Sequence, residues 1–271
     1  MGLESLQLPT YERIAEPIPW TKSLLDKFNI KVSTMDKFCQ FLGEVIGTGM
    51  LVFLGCTGCV QNANFANSPL QSSLNVGLVV MVIVHCFGCV CGAHLNPAIT
   101  LAVYIYDMIS LTMSGVYFAG QLLGAFLGYG LMKALVPANA ISLGGAAHGV
   151  CVPAPHPDIT AMQAFWIEFI ASAMLIITTC SAADARNNAF QDSLPIRFGL
   201  TVTCLSLSVG QLSGAMCNPV KAFAAAAWNY DFQDHWVYWT APLISAAVSA
   251  TFYKVIFKRD YVERRVLPEK R

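Results

Sequence analysis

Gly92-Ala93-His94-Leu95-Asn96-Pro97-Ala98-Ile99 and Gly214-Ala215-Met216-Cys217-Asn218-Pro219-Val220-Lys221 carry one pattern twice. Asn is a preferred helix N-cap, and Pro suits the first helical position because its φ is fixed and its missing N–H would be unsatisfied there anyway. One Asn-Pro pair marks an ordinary helix start. Two of them, each opening an apolar segment of 11 residues (Asn96–Tyr106 and Asn218–Trp228), ask for more. Such a segment is about 16 Å of helix, half of a bilayer. A half-length apolar helix reads as re-entrant, which is tolerated only where protein or a water-filled cavity satisfies its free end.

The rest of the chain supplies the bilayer-spanning frame. Of 271 residues, 55% are hydrophobic and only 12% are Asp, Glu, Lys or Arg, about half the charge of a soluble domain. Zero formal net charge, with pI near 6.9, gives no basic field for nucleic acid. Six apolar stretches are long enough to cross: roughly 38–60, 72–93, 111–135, 161–183, 196–214 and 236–257. They divide the chain into a segment 1–37, a membrane domain 38–257 and a tail 258–271, with one repeat over about 38–135 and a second over about 161–257. The Glu44 and Glu168 neighbourhoods match, and Glu44 and Asn96 are separated from Glu168 and Asn218 by nearly the same interval. Three spans per repeat is an odd number, so the halves lie in opposite orientations. Inverted repeats with paired broken helices mark a transport site near the midplane.

All but two of the 16 basic residues fall on one side, in residues 1–37, in the tail from Lys254, and at Arg186 and Arg197. The loops 61–71 and 136–160 hold none, so both termini are expected in the cytoplasm. The first residues lack the charged start and apolar core of a cleavable signal. Of the ten cysteines, Cys39, Cys56, Cys59, Cys86, Cys89 and Cys91 sit in or beside apolar runs and read as small unpaired hydrophobes rather than zinc ligands. Cys151 stands in a polar loop without an obvious partner. Gly120, Gly124 and Gly128 form a close-packing seam.

Two helix starts meeting near the bilayer centre would each bring about half a positive charge, with Asn amide donors turned to the lumen. Such a site favours the oxygen of water or an alcohol and repels cations and protons. Glu44 and Glu168 are costly in a membrane unless paired, and their expected role is to hold the re-entrant loops through backbone N–H groups.

Asn96-Pro97-Ala98, Asn218-Pro219-Val220, the repeated Glu44 and Glu168, and six spans together resemble the aquaporin (major intrinsic protein) family, over about 37–258. The resemblance implies an all-α bundle of six tilted helices plus two re-entrant half helices, assembled as a homotetramer with one pore per subunit. It further implies passive transport down gradients, without catalysis or cofactor; no metal site is expected, and the plasma membrane is expected over an internal one. The family's second motif usually reads Asn-Pro-Ala-Arg; here Lys221 keeps the charge but loses the rigid guanidinium fork. The alternative for Lys221 is that it snorkels to the outer water. Val220 adds bulk where Ala is usual, enough to shift the half helices slightly apart.

Matched to the family motif, the selectivity filter would be Val76, Ser206, Ala215 and Lys221, with neither the Phe nor the His of water-selective members. A wider throat of this kind admits glycerol or urea as well as water. It resembles the glycerol-permeable channels of insects, although Ala222 stands where glycerol facilitators carry Asp. Ser206 is also a common helix-packing residue. His94 would line the inner half of the pore or pack within it, and Cys217 is expected to take a mercurial if it faces the lumen. His148 and His156 in the outer loop read as pH sensors or as ordinary solvated histidines. A water-only channel and a non-conducting structural or adhesion member are the alternatives. An ion channel is disfavoured by the positive pore centre, and an enzyme by the lack of a nucleophile–base or paired-carboxylate set.

Overall fold

The computed structural model describes residues 32–60, 67–142 and 149–259. His148, part of the loop 61–71, and Arg13, Lys22, Lys27, Lys31, Arg264, Arg265, Lys270 and Arg271 lie outside the described residues. The chain runs through α1 (Val32–Thr57), α2 (Pro69–Cys91), the half helix α3 (Pro97–Ile105), α4 (Leu111–Leu135) and a short α5 (Ala138–Ser142). Then come α6 (Ala161–Ala182), α7 (Leu194–Ser213), the half helix α8 (Pro219–Asn229) and α9 (Val237–Phe252). Among the described residues six helices are long and apolar enough to cross a membrane, the fifth counted with the 3-10 segment Ala185–Ser193 before α7 and the sixth with the π-helical turn Tyr253–Phe257 after α9. The protein is an integral multi-pass membrane protein, and no strand occurs among the described residues.

Local chemistry sets the boundaries. Ser68 caps α2 by accepting from Gln71 N, with Pro69 in the first turn, and Gly92 ends the helix in the left-handed region. Thr160 and Gln163 form a reciprocal capping box at the start of α6. Glycines then set how near the spans approach. A Cβ on Gly120, Gly124 or Gly128 of α4 would run into the carbonyl oxygens of Phe41, Val45 and Gly49 on α1. Gly77 of α2 and Gly199 of α7 give the same close crossing in the other pair.

Each half helix packs on spans of the opposite repeat. Ala98 and Ala102 of α3 pack in one core with Ile176 and Cys180 of α6 and with Ala246 and Ala250 of α9. Val220, Ala224 and Ala225 of α8 pack with Val52 and Cys56 of α1 and with Ala125 and Tyr129 of α4. Leu78, Ile170, Leu200 and Val248 are among the many large apolar side chains left facing outward, as a lipid-facing surface requires.

One expectation is corrected. Cys56 is not an unpaired hydrophobe, and Cys151 does have a partner: the two form a disulfide joining the end of α1 to the loop that precedes α6. The loop stays beside α4 as well, where Tyr129 Oη donates to Val150 O at 2.6 Å. The partner was hidden because Cys56 sits in an apolar run, 95 residues from Cys151 in the chain.

At the other end, charge pairs fasten the turns. Arg186 Nη2 lies 2.7 Å from Asp184 Oδ2 and donates to Phe257 O at 2.7 Å. The Arg186 hydrogen bond holds the Asp184 carboxyl down at about 2. Lys254 Nζ reaches Asp107 Oδ2 at 2.6 Å and Ile105 O at 2.8 Å, and its hydrogen bond lowers the Asp107 pKa.

Candidate functional site: two capped half helices on one cavity

The two motif loops have matching backbone conformations. Gly92, Ala93 and Leu95 have φ of 77°, 47° and 57°; Gly214, Ala215 and Cys217 have 93°, 46° and 46°. Four of these six are not glycine, and each such residue costs about 1–3 kcal/mol and persists only where its surroundings enforce it. The enforcement comes from two buried carboxylates. Glu44 on α1 accepts from His94 N and Leu95 N, both at 2.8 Å, and from Gln121 Nε2 at 2.8 Å. Glu168 on α6 accepts from Met216 N at 3.0 Å, Cys217 N at 2.8 Å and Ser213 Oγ at 2.7 Å. Both are fully buried, and three donors apiece offset the desolvation a carboxylate meets there.

Each Asn then does two things. Asn96 Oδ1 caps its helix by accepting from Ala98 N at 2.9 Å, and its Nδ2 donates across to Cys217 O at 2.7 Å. Asn218 Oδ1 accepts from Lys221 N at 3.4 Å, and its Nδ2 donates to Leu95 O at 2.9 Å. The two re-entrant loops are thus cross-tied, which leaves each Asn one amide hydrogen rather than two for anything in the lumen.

A cavity of about 390 Å³ runs past both motifs. Val76, Ser206, Ala215 and Lys221 all stand on its wall, as do His94, Asn96, Cys217 and Asn218. His94 Nδ1 lies 3.1 Å from Thr100 Oγ1, and its ring packs 4.8 Å from that of Tyr117. The Lys221 ammonium makes no hydrogen bond among the described residues. Val220 is not on the wall: it is fully buried in the core with Val52 and Tyr129, so its extra carbons press on α1 and α4. Pro97, Ala98 and Pro219 are likewise buried in the half-helix turns.

Several residues here escaped the sequence reading. Ser73, Cys59 and Phe198 join the wall, and Gln121 ties Glu44 to Thr100, donating to Thr100 Oγ1 at 2.9 Å. Ser73 was within reach, because it lies three residues before Val76 on one helix face. Gln121 carried no signal beyond being a lone amide in an apolar span.

A cavity threaded between inverted halves, with two helix N-termini tied face to face inside it, defines a membrane channel rather than an enzyme. Its work is done by the shape and polarity of the wall. The sequence model of the major intrinsic protein family matches residues 31–253, and the chain belongs to that family. It is 30% identical over 226 residues to aquaporin-4 of Notomys alexis, covering 81% of this chain and 68% of that one. It is 31% identical over 215 residues to aquaporin-2 of Rattus norvegicus, covering 79% and 77%. Among solved structures, the aquaglyceroporin from Plasmodium falciparum superposes with a TM-score of 0.73 at 24% identity, over 81% of this chain and 96% of that one, and so shares the fold.

Proposed function

We propose that the chain is a passive channel for water and small neutral solutes such as glycerol or urea. The observation that carries this reading is the composition of the wall at the four positions matched to the family's filter. Val76, Ser206, Ala215 and Lys221 offer two apolar side chains, one hydroxyl and one ammonium, without an aromatic or imidazole among them. Small groups leave a wide throat, and the ammonium together with the two helix N-termini disfavours cations. Relatives named aquaporin and a structural neighbour named an aquaglyceroporin support both solute classes. The second reading, a water-only pore, draws on Lys221, whose charge still occupies the filter.

The functional unit in this proposal is a homotetramer in the plasma membrane with both termini in the cytoplasm. Two features support that orientation. Basic residues crowd one side, and the Cys56–Cys151 bridge sits with the loop that has no Lys or Arg. Disulfides persist in oxidising compartments. Stopped-flow light scattering on proteoliposomes tests conduction. An impermeant osmolyte step should give shrinkage faster than empty liposomes, and a glycerol step should give shrinkage followed by rapid reswelling. Shrinkage without reswelling would favour the water-only pore. Rates equal to empty liposomes, from protein inserted as a tetramer, would return the chain to a structural or adhesion role.

A further inference from the structure

Ser73 of α2 and Ser206 of α7 meet across the cavity wall: Ser206 Oγ donates to Ser73 Oγ at 2.9 Å. Hydroxyls on apolar helices usually turn back on the carbonyl one turn earlier, as Thr57, Thr178 and Ser208 do here. Ser73 and Ser206 do not; each has only the other as a hydrogen-bond partner among the described residues. A hydroxyl holds one proton and two acceptor sites, so the pair retains one proton and several lone pairs at the wall. Ser73 itself is only 4% exposed, while Val76 one turn on and Lys221 border the same cavity.

We propose that Ser73 is a specificity-positioning residue: it holds the Ser206 hydroxyl across the α2–α7 seam, so that the pair presents a two-oxygen polar edge to solutes carrying adjacent hydroxyls. The inference rests on the conduction reading above. A polyol would set its C–H face against Val76 and Ala215 and its hydroxyls against the serine pair and the Lys221 ammonium. Without Ser73, the Ser206 hydroxyl is free to fold back on Val202 O, and the edge is lost. Water is small enough to find partners elsewhere along the wall, so the loss falls on the larger solute.

The test compares glycerol and water permeability of full-length protein in proteoliposomes for wild type, Ser73→Ala, Ser206→Ala, the double variant and Ser73→Thr. The glycerol-to-water ratio should fall about three- to tenfold in Ser73→Ala, the scale of one neutral hydrogen bond. It should fall no further in the double variant and should be kept in Ser73→Thr. Water flux above empty liposomes shows that each variant has inserted and opened. Three results each overturn the inference: an unchanged ratio in Ser73→Ala, a double variant that falls by the product of the singles, or a Ser73→Thr that falls like Ser73→Ala. A wild type with no glycerol flux is a separate failure, because it removes the conduction reading itself.

Discussion

At the scale of single residues, burial and charge decide what each side chain contributes. Cys217 is a buried thiol that borders the cavity next to Asn218, so a mercurial there stands in the solute path. Water flux should fall severalfold on mercurial treatment and recover with a thiol reductant, and Cys217→Ser should lose most of that sensitivity. Equal sensitivity in the variant would move the target to another cysteine, such as Cys59 on the same wall. Lys221→Arg restores a planar fork of donors to a wall that now has a mobile ammonium. Glycerol permeability should drop about tenfold, or about 1.4 kcal/mol of barrier, while water still passes. His235 gives a pH dependence. Its Nε2 accepts from Trp239 Nε1 at 3.0 Å, which requires the neutral ring, and burial lowers its pKa. A histidine with a lowered folded pKa contributes stability that is full above the unfolded value of about 6.5 and is lost as pH falls toward the folded one. Thermal unfolding in detergent should therefore shift downward between pH 7.5 and 5, and by less in His235→Gln.

At the scale of elements, the glycines of α4 are the most exacting contacts. A side chain at Gly124 meets the Val45 carbonyl, which belongs to helix backbone and cannot swing away. Gly124→Val should cost about 1–3 kcal/mol or more through overpacking, read as a lower unfolding temperature. Gly115, whose added Cβ would meet nothing within 4 Å, should tolerate Ala. What the sequence disclosed follows the same division. The Asn-Pro pairs and apolar runs are local signals, and α2, α3, α4, α6, α7, α8 and the sixth span lie within a few residues of their expected bounds. The first helix begins at Val32, earlier than 38, because its polar turn through Asp36 and Lys37 is helical without being apolar. Ser73 with Ser206 and Cys56 with Cys151 were not legible as pairs. Each depends on which faces of two distant helices or loops come together, and nothing within one helix encodes that.

At the scale of the whole molecule, the pore belongs to neither half. α3 packs on α6 and α9, and α8 on α1 and α4, while each Asn amide reaches the opposite loop. Residues 1–148 and 149–271 expressed separately should therefore give no water flux above empty membranes. Coexpressed, they should regain a measurable fraction of the flux of the intact chain. Flux from either half alone would mean that the interleaved half helices are dispensable.

That interleaving bears on how such a molecule can arise. A gene encoding one half could assemble this pore only if its product entered the bilayer in both directions, because the complement of each half is its own upside-down copy. A product of that kind cannot carry a strong charge bias, since the bias would commit every copy to one direction. Once two halves are joined in a single chain, orientation is decided once for both. The one-sided distribution of Lys and Arg read from this sequence is open to a chain that carries both halves.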